Sequence, residues 1–208
     1  MSDLLLDVQA VPTTPAAGQA VISVNNITKA LQYKNDAGVV RSMELGNNSV
    51  ASQAPAAATR TYITGSNILI PAGGLQANTQ FKWRFDMTKT AAGIAASTFD
   101  ICFGTAGTTA DTARVSFTKP AGTAVIDHGL VQINAIVRNV GASAVVVGTI
   151  EMTHNLAATG HAIIPVVTVV TISAAFDTTA VNNIGVCITS GAADAITIQY
   201  CTAEATNV

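Results

Sequence analysis

Side chains able to do nucleophilic or acid–base chemistry are scarce in this chain. Its 208 residues include three histidines, His128, His154 and His161, three cysteines, Cys102, Cys187 and Cys201, and twelve carboxylates. A triad hydrolase needs a nucleophile, an imidazole base and an acid that orients the base. His128 stands between Asp127 and Gly129 and reads as a loop residue, His154 ends an apolar alternation before Asn155, and His161 follows Gly160 in the next turn. Each therefore reads as a structural or surface histidine. No Gly-x-Ser-x-Gly elbow occurs. His154 and His161 lie seven apart with no third His or Cys close by, which fits neither a zinc-protease helix nor a zinc finger.

Asp86, Asp100, Asp111, Asp127, Asp177 and Asp194 mostly fall at expected strand ends or turns, where Asp caps backbone amides. No run alternates Asp or Asn with Gly and a closing Glu, as a calcium loop would. Gly73-Gly74, the Gly104–Gly107 turn and Gly191 lack the strand, loop and helix setting of a phosphate cradle and read as tight turns. Expected catalytic residues, metal ligands and cofactors are accordingly none, and the expected protein is not an enzyme. The enzyme alternative is a small lyase or glycan hydrolase with a carboxylate pair in a cleft. The three cysteines sit in apolar, strand-like runs and read as small buried hydrophobes in a reducing compartment. Cys187 and Cys201 would face each other if their strands pair, which leaves a disulfide open.

Bulk composition narrows the function classes further. Ten Lys and Arg against twelve Asp and Glu give a net charge of −2, and charged residues are 11% of the chain against 49% hydrophobic. Basic residues are scattered singly, so nothing would neutralise a row of phosphates or attract an anionic membrane. No nucleic-acid or membrane partner is expected. Met1–Gln9 carries Asp3 and Asp7 around Leu4, Leu5 and Leu6 and lacks the basic start of a secretory leader. The most apolar stretch, 162–175, is broken by Pro165 and is shorter than the ~20 residues of a spanning helix. A soluble, ordered chain is the expectation, with mean hydropathy +0.43 excluding disorder.

Three textures follow one another along the chain. In residues 1–45, Pro12, Pro15 and Gly18 punctuate the start, Ala20–Val24, Ala30–Lys34 and Val39–Met43 alternate, and Asn25-Asn26 and Asn35-Asp36-Ala37-Gly38 supply turns. This predicts two short hairpins in series, an arm too small for a core of its own. Residues 46–60 are small and polar, contain Pro55 and show no period, which predicts a linker. Residues 61–208 read as a β-sandwich domain with strands at 79–87, 97–104, 112–119, 130–138, 144–154, 163–174, 184–189 and 195–203. In the first of these Phe81, Trp83, Phe85 and Met87 alternate with Gln80, Lys82, Arg84 and Asp86. The aromatic stripe reads as core filling in preference to a stacking platform. Nowhere does apolar spacing of three and four persist for three turns. The predicted fold class is all-β: an antiparallel two-sheet, jelly-roll-like sandwich with a short N-terminal β-hairpin arm.

The runs Pro12-Thr-Thr-Pro15-Ala-Ala-Gly18 through Val24 and Leu31-Gln-Tyr33-Lys34-Asn-Asp36-Ala-Gly38 through Arg41 resemble a β-element of tailed-bacteriophage fibre, spike and head-decoration proteins. The stretches Ile68–Gly73, Phe81–Phe85, Gly107–Arg114 and Met152–Asn155 look like the sandwich module of similar virion proteins. Ser23 and Asn25 depart from the aromatic or acidic residues often found in such hairpins. The resemblance implies a homotrimer on a virion, made in the host bacterial cytoplasm. Two placements follow. A capsid cement or decoration protein would bind the phage major capsid protein on the outer capsid surface and stabilise the head. A tail-fibre or spike protein would bind a host-surface glycan or protein through its distal loops. The 208 residues hold no long shaft, which favours decoration. Leu4, Leu5 and Leu6 are the expected partner-anchoring residues, an apolar plug at the start of the arm.

Overall fold

A computed structural model describes residues 8–9, 12–25, 31–42, 44–161, 169–172, 175–191 and 195–206. In chain order the strands are β1 (Val8–Gln9), β2 (Ala20–Asn25), β3 (Leu31–Asn35), β4 (Val40–Ser42), β5 (Glu44–Ser49), β6 (Arg60–Tyr62), β7 (Ile68–Ile70) and β8 (Gln80–Lys89). They continue as β9 (Ser97–Gly104), β10 (Thr112–Lys119), β11 (Asp127–Asn139), β12 (Val145–His154), β13 (Val169–Ile172), β14 (Asn182–Thr189), β15 (Ile196–Thr197) and β16 (Cys201–Thr206). No helix occurs among the described residues, and so none long and apolar enough to cross a membrane.

The strands form three sheets. The arm sheet has the order β1-β2-β3-β4, with β1 parallel to β2 and the other neighbours antiparallel. The larger sandwich sheet runs β13-β12-β11-β8-β16-β5, with β15 also paired to β8. The smaller runs β10-β9-β14-β6, with β7 also paired to β14. Setting aside the β12–β13 extension, the order β5-β16-β8-β11 opposes β6/β7-β14-β9-β10. That is the strand order of a jelly roll, two Greek keys folded across two antiparallel sheets. The all-β sandwich expected from the sequence is the observed fold.

Alternation explains the core. In β8 Phe81, Trp83, Phe85 and Met87 are each 0–1% exposed, while Gln80, Lys82 and Arg84 face water. Opposite them stand Phe99, Ile101 and Phe103 of β9 and Ile184, Val186 and Ile188 of β14, all buried. Phe81 stacks on Trp83 with ring centroids 5.7 Å apart, and Phe85 meets Phe99 at 5.9 Å. Each such ring contributes roughly 2–3 kcal/mol by leaving water. The indole N–H of Trp83 donates to the Ser66 carbonyl at 2.7 Å, so its polar edge is satisfied inside the core. At Gly148 of β12 the two sheets approach closely, since a Cβ there would meet Val115, Phe117 and Ile101.

Several expected boundaries differ from the observed ones. Residues 46–60 are not a free linker and the sandwich does not start at 61. β5 pairs along its whole length with β16, Gln53 bridges Ile198, and Ala57 bridges Ser190. Backbone pairing, not apolar pattern, fixes this segment, and Leu45 is its buried anchor. The expected strand at 195–203 is two, β15 and β16. Between them Asp86 Oδ1 accepts the N–H groups of Gln199 and Tyr200 at 2.7 and 3.1 Å, which breaks the ladder. His128 lies in β11, one residue after its start, instead of in a loop, and of the strand expected at 163–174 the described part is β13.

Candidate functional site

The arm sheet is the region whose faces are most unusual. Its β3–β4 turn forms as the sequence predicts: Gly38 adopts φ +81°, its N–H donates to the Asn35 carbonyl at 3.0 Å, and Asn35 Oδ1 takes the Val39 N–H at 2.9 Å. The register sets Ser23 opposite Gln32 and Val21 opposite Lys34 on one face, and Ile22 opposite Tyr33 and Val24 opposite Leu31 on the other. It is the polar face that is covered. Ser23, Gln32 and Lys34 are 0%, 1% and 8% exposed, with Gln32 Nε2 donating to Ser23 Oγ at 3.0 Å and Lys34 Nζ to the Pro12 carbonyl at 2.9 Å. Ile22 and Leu31 are 55% and 36% exposed. The outward face is thus an apolar strip on a small sheet, none of whose strands packs extensively on a sandwich strand. Leu4, Leu5 and Leu6, the expected anchors, lie outside the described residues.

A second cluster gathers the histidines around Asp127 at one end of the larger sheet. Asp127 Oδ2 accepts His154 Nδ1 at 2.8 Å and the His161 N–H at 2.9 Å, and its Oδ1 accepts the His128 N–H at 2.8 Å. Burial alone would raise this carboxyl, but the hydrogen bonds from the His161 N–H, the His154 ring and the His128 N–H outweigh it and hold its pKa below the ordinary value. His161 is fully buried, with Nε2 3.3 Å from the Met87 carbonyl. Burial, helped by the charge of Lys119, depresses its pKa to about 4, so it is neutral at pH 7. Nearby, Lys89 Nζ donates to the carbonyls of Thr90, Thr123 and Val125 at 3.0, 2.8 and 2.6 Å. An Asp and the imidazole it orients are two of the three members of a triad. Here the same Asp also anchors two backbone amides, and the cluster ties the start of β11 to the end of β12 and the turn at 160–161.

The third cluster lies on the outer face of the smaller sheet. Arg60 of β6 donates from Nε to Asp100 Oδ2 at 3.0 Å, from Nη1 to the carbonyls of Thr109 and Asp111 at 2.9 and 3.0 Å, and from Nη2 to Cys102 Sγ at 3.0 Å. Asp111 in turn accepts the N–H groups of Ala106 and Gly107. Cys187, expected as a possible partner of Cys201, lies instead against Cys102; Cys201 is in the other sheet, because β14 pairs with β9 while β16 pairs with β8 and β5. All three cysteines are free and buried. No local pattern announces this grouping, since its members span residues 60–187 and meet only through strand register.

On the outer face of the larger sheet, Lys82, Arg84, Gln132, Tyr200, Thr202 and Glu204 line a groove of about 410 Å³. Arg84 stands between Gln132 and Thr202, and Lys82 between Asn134 and Glu204. Among the described residues no group of three or more His, Cys, Asp and Glu side chains is arranged to hold a metal ion. No protein-family model matches this chain, and no curated protein matches it either.

Proposed function

We propose that this chain is a non-enzymatic structural protein of a tailed-bacteriophage particle, a homotrimeric cement or decoration protein that binds the major capsid protein on the outer capsid surface. The observation that carries this reading is the arm sheet, which buries Ser23, Gln32 and Lys34 and presents Ile22 and Leu31 outward. A sheet of short strands gains little by exposing its apolar side unless another protein covers it. In this reading the arm seats on the shell, the jelly roll projects, and the added buried area raises the cost of opening the head. Light scattering of the purified chain should give about 64 kDa, three times the 21.2 kDa of one copy. A stable monomer would count against it.

The groove lined by Arg84, Gln132 and Tyr200 favours a second reading, a tail-fibre or spike protein that binds a host-surface glycan. Antibody labelling of virions separates the two, by marking heads or tails.

A further inference from the structure

We propose that Cys102 and Cys187 are a disulfide-forming pair, closed by exchange with a small disulfide oxidant such as oxidised glutathione, and that Cys201 takes no part. The two sulfurs are 3.0 Å apart, about 1 Å beyond bonding distance. β9 and β14 are neighbours in register: Cys102 stands opposite Gly185 and Cys187 opposite Asp100, so the two cysteines are diagonal partners on the outward face. Gly185, opposite Cys102, carries no side chain, and the Tyr62 hydroxyl lies where its Cβ would be.

Arg60 gives the pair its reactivity and its cover. Its Nη2 donates to Cys102 Sγ, and its remaining nitrogens hold Asp100 and the 109–111 loop over the sulfurs. Cys102 donates to Cys187 at 3.0 Å, which lowers the pKa of the Cys187 thiol against the cost of burial, and the Arg60 charge acts in the same direction. Cys201 lies in the other sheet, where burial pushes its thiol up to about 12. Cys187 as thiolate attacks one sulfur of the oxidant, forming a mixed disulfide and expelling one glutathione thiolate. Cys102, losing its proton, then attacks the Cys187 sulfur and expels the second. One Sγ–Sγ bond forms, two protons leave the protein, and two electrons reduce the oxidant to two thiols.

The bond would staple two adjacent strands of the smaller sheet across 85 positions of sequence. For a chain assembled in a reducing cytosol and then released, this is a lock that closes after assembly. That use rests on the particle reading, whereas the chemistry is a property of the single chain.

The test compares full-length protein held in oxidised glutathione with protein held in dithiothreitol, each then denatured, alkylated and mapped without reduction. Alkylatable thiols should fall from three to one, the survivor being Cys201, with a peptide pair joined through Cys102 and Cys187. The thermal midpoint should rise by roughly 5–10 °C, an increase lost in Cys187→Ser and kept in Cys201→Ser. Arg60→Ala opens the cover to the oxidant and should close the same Cys102–Cys187 bond. Three alkylatable thiols in both wild type and Arg60→Ala, a joined peptide containing Cys201, or a glutathione adduct that never closes would each overturn the proposal. Because the readout needs no trimer or capsid, its failure leaves the particle reading untouched.

Discussion

In the sandwich, the long strands turn their apolar set inward: Phe81, Trp83 and Phe85 are buried while Lys82 and Arg84 stand in water. In the arm sheet the arrangement is reversed, with Ser23, Gln32 and Lys34 covered and Ile22 and Leu31 facing out. Both regions follow the same two-residue period, so the contrast lies in which side has been given a neighbour. The jelly roll closes its core within one chain. The arm satisfies Gln32 and Lys34 within one chain and leaves Ile22 and Leu31 exposed. The difference teaches where stability resides and where the proposed association would.

Substitutions should separate the two regions by magnitude. Trp83→Ala removes the largest core side chain and its bond to Ser66, and should cost about 3–5 kcal/mol by urea denaturation, whereas Ile22→Ala should change the isolated chain by less than about 0.5 kcal/mol. Similar costs at the two positions would erase the contrast.

Acidic residues should divide the same way. Asp127→Ala strands two backbone N–H groups and the His154 ring inside the protein, an expected loss of about 3 kcal/mol. Asp36→Ala in the arm removes only an exposed acceptor of the Gly18 N–H, about 0.5–1 kcal/mol.

Acid should weaken the sandwich. The His161 pKa is depressed to about 4 in the folded state from an ordinary 6.5, so below that ordinary value the unfolded chain takes up a proton that the folded one refuses. Stability should therefore fall between about pH 6.5 and 4, by on the order of 2–3 kcal/mol, and His161→Gln should flatten the slope. The Asp127 pKa is also lowered, so its contribution is present above the ordinary carboxyl range and is lost at still lower pH. A pH titration of the urea midpoint follows both.

The smallest effect is expected from removing residues 1–42, which ends the cut before β5 and should leave the urea midpoint of the sandwich unchanged within about 0.5 kcal/mol. A cut at 45 would also take Glu44 and Leu45 from β5 and should cost clearly more, because Leu45 is a core residue. Equal outcomes would mean the domain boundary lies elsewhere.

Much of this architecture was legible in advance because a period of two survives wherever one face is dry. β8, β9 and β10 could be read to within about two residues for that reason. β5 could not: Gly46, Asn47, Asn48 and Ser49 have no apolar alternation, and the strand exists because β16 offers a backbone to pair with. Asp as a cap of backbone amides was legible and holds at Asp86, Asp111, Asp127 and Asp177. The β3–β4 hairpin was legible from its turn, while the turn expected at Asn25-Asn26 falls on residues 26–30, outside the described ones; alternation reports only that two faces differ, never which one is covered. The meeting of Cys102 with Cys187 depends on the register of distant strands, information no local pattern carries.

The central claim is that the outward strip of the arm is a binding surface. It is tested most directly by cosedimenting purified chain with phage heads that lack it, the shell that the proposed function would have it bind, using wild type and an Ile22→Asp, Leu31→Asp double variant. The account predicts saturable binding by the wild type, loss of binding by at least tenfold in the variant, and the same urea midpoint for both. Undiminished binding by the variant, or no binding by the wild type, would contradict it.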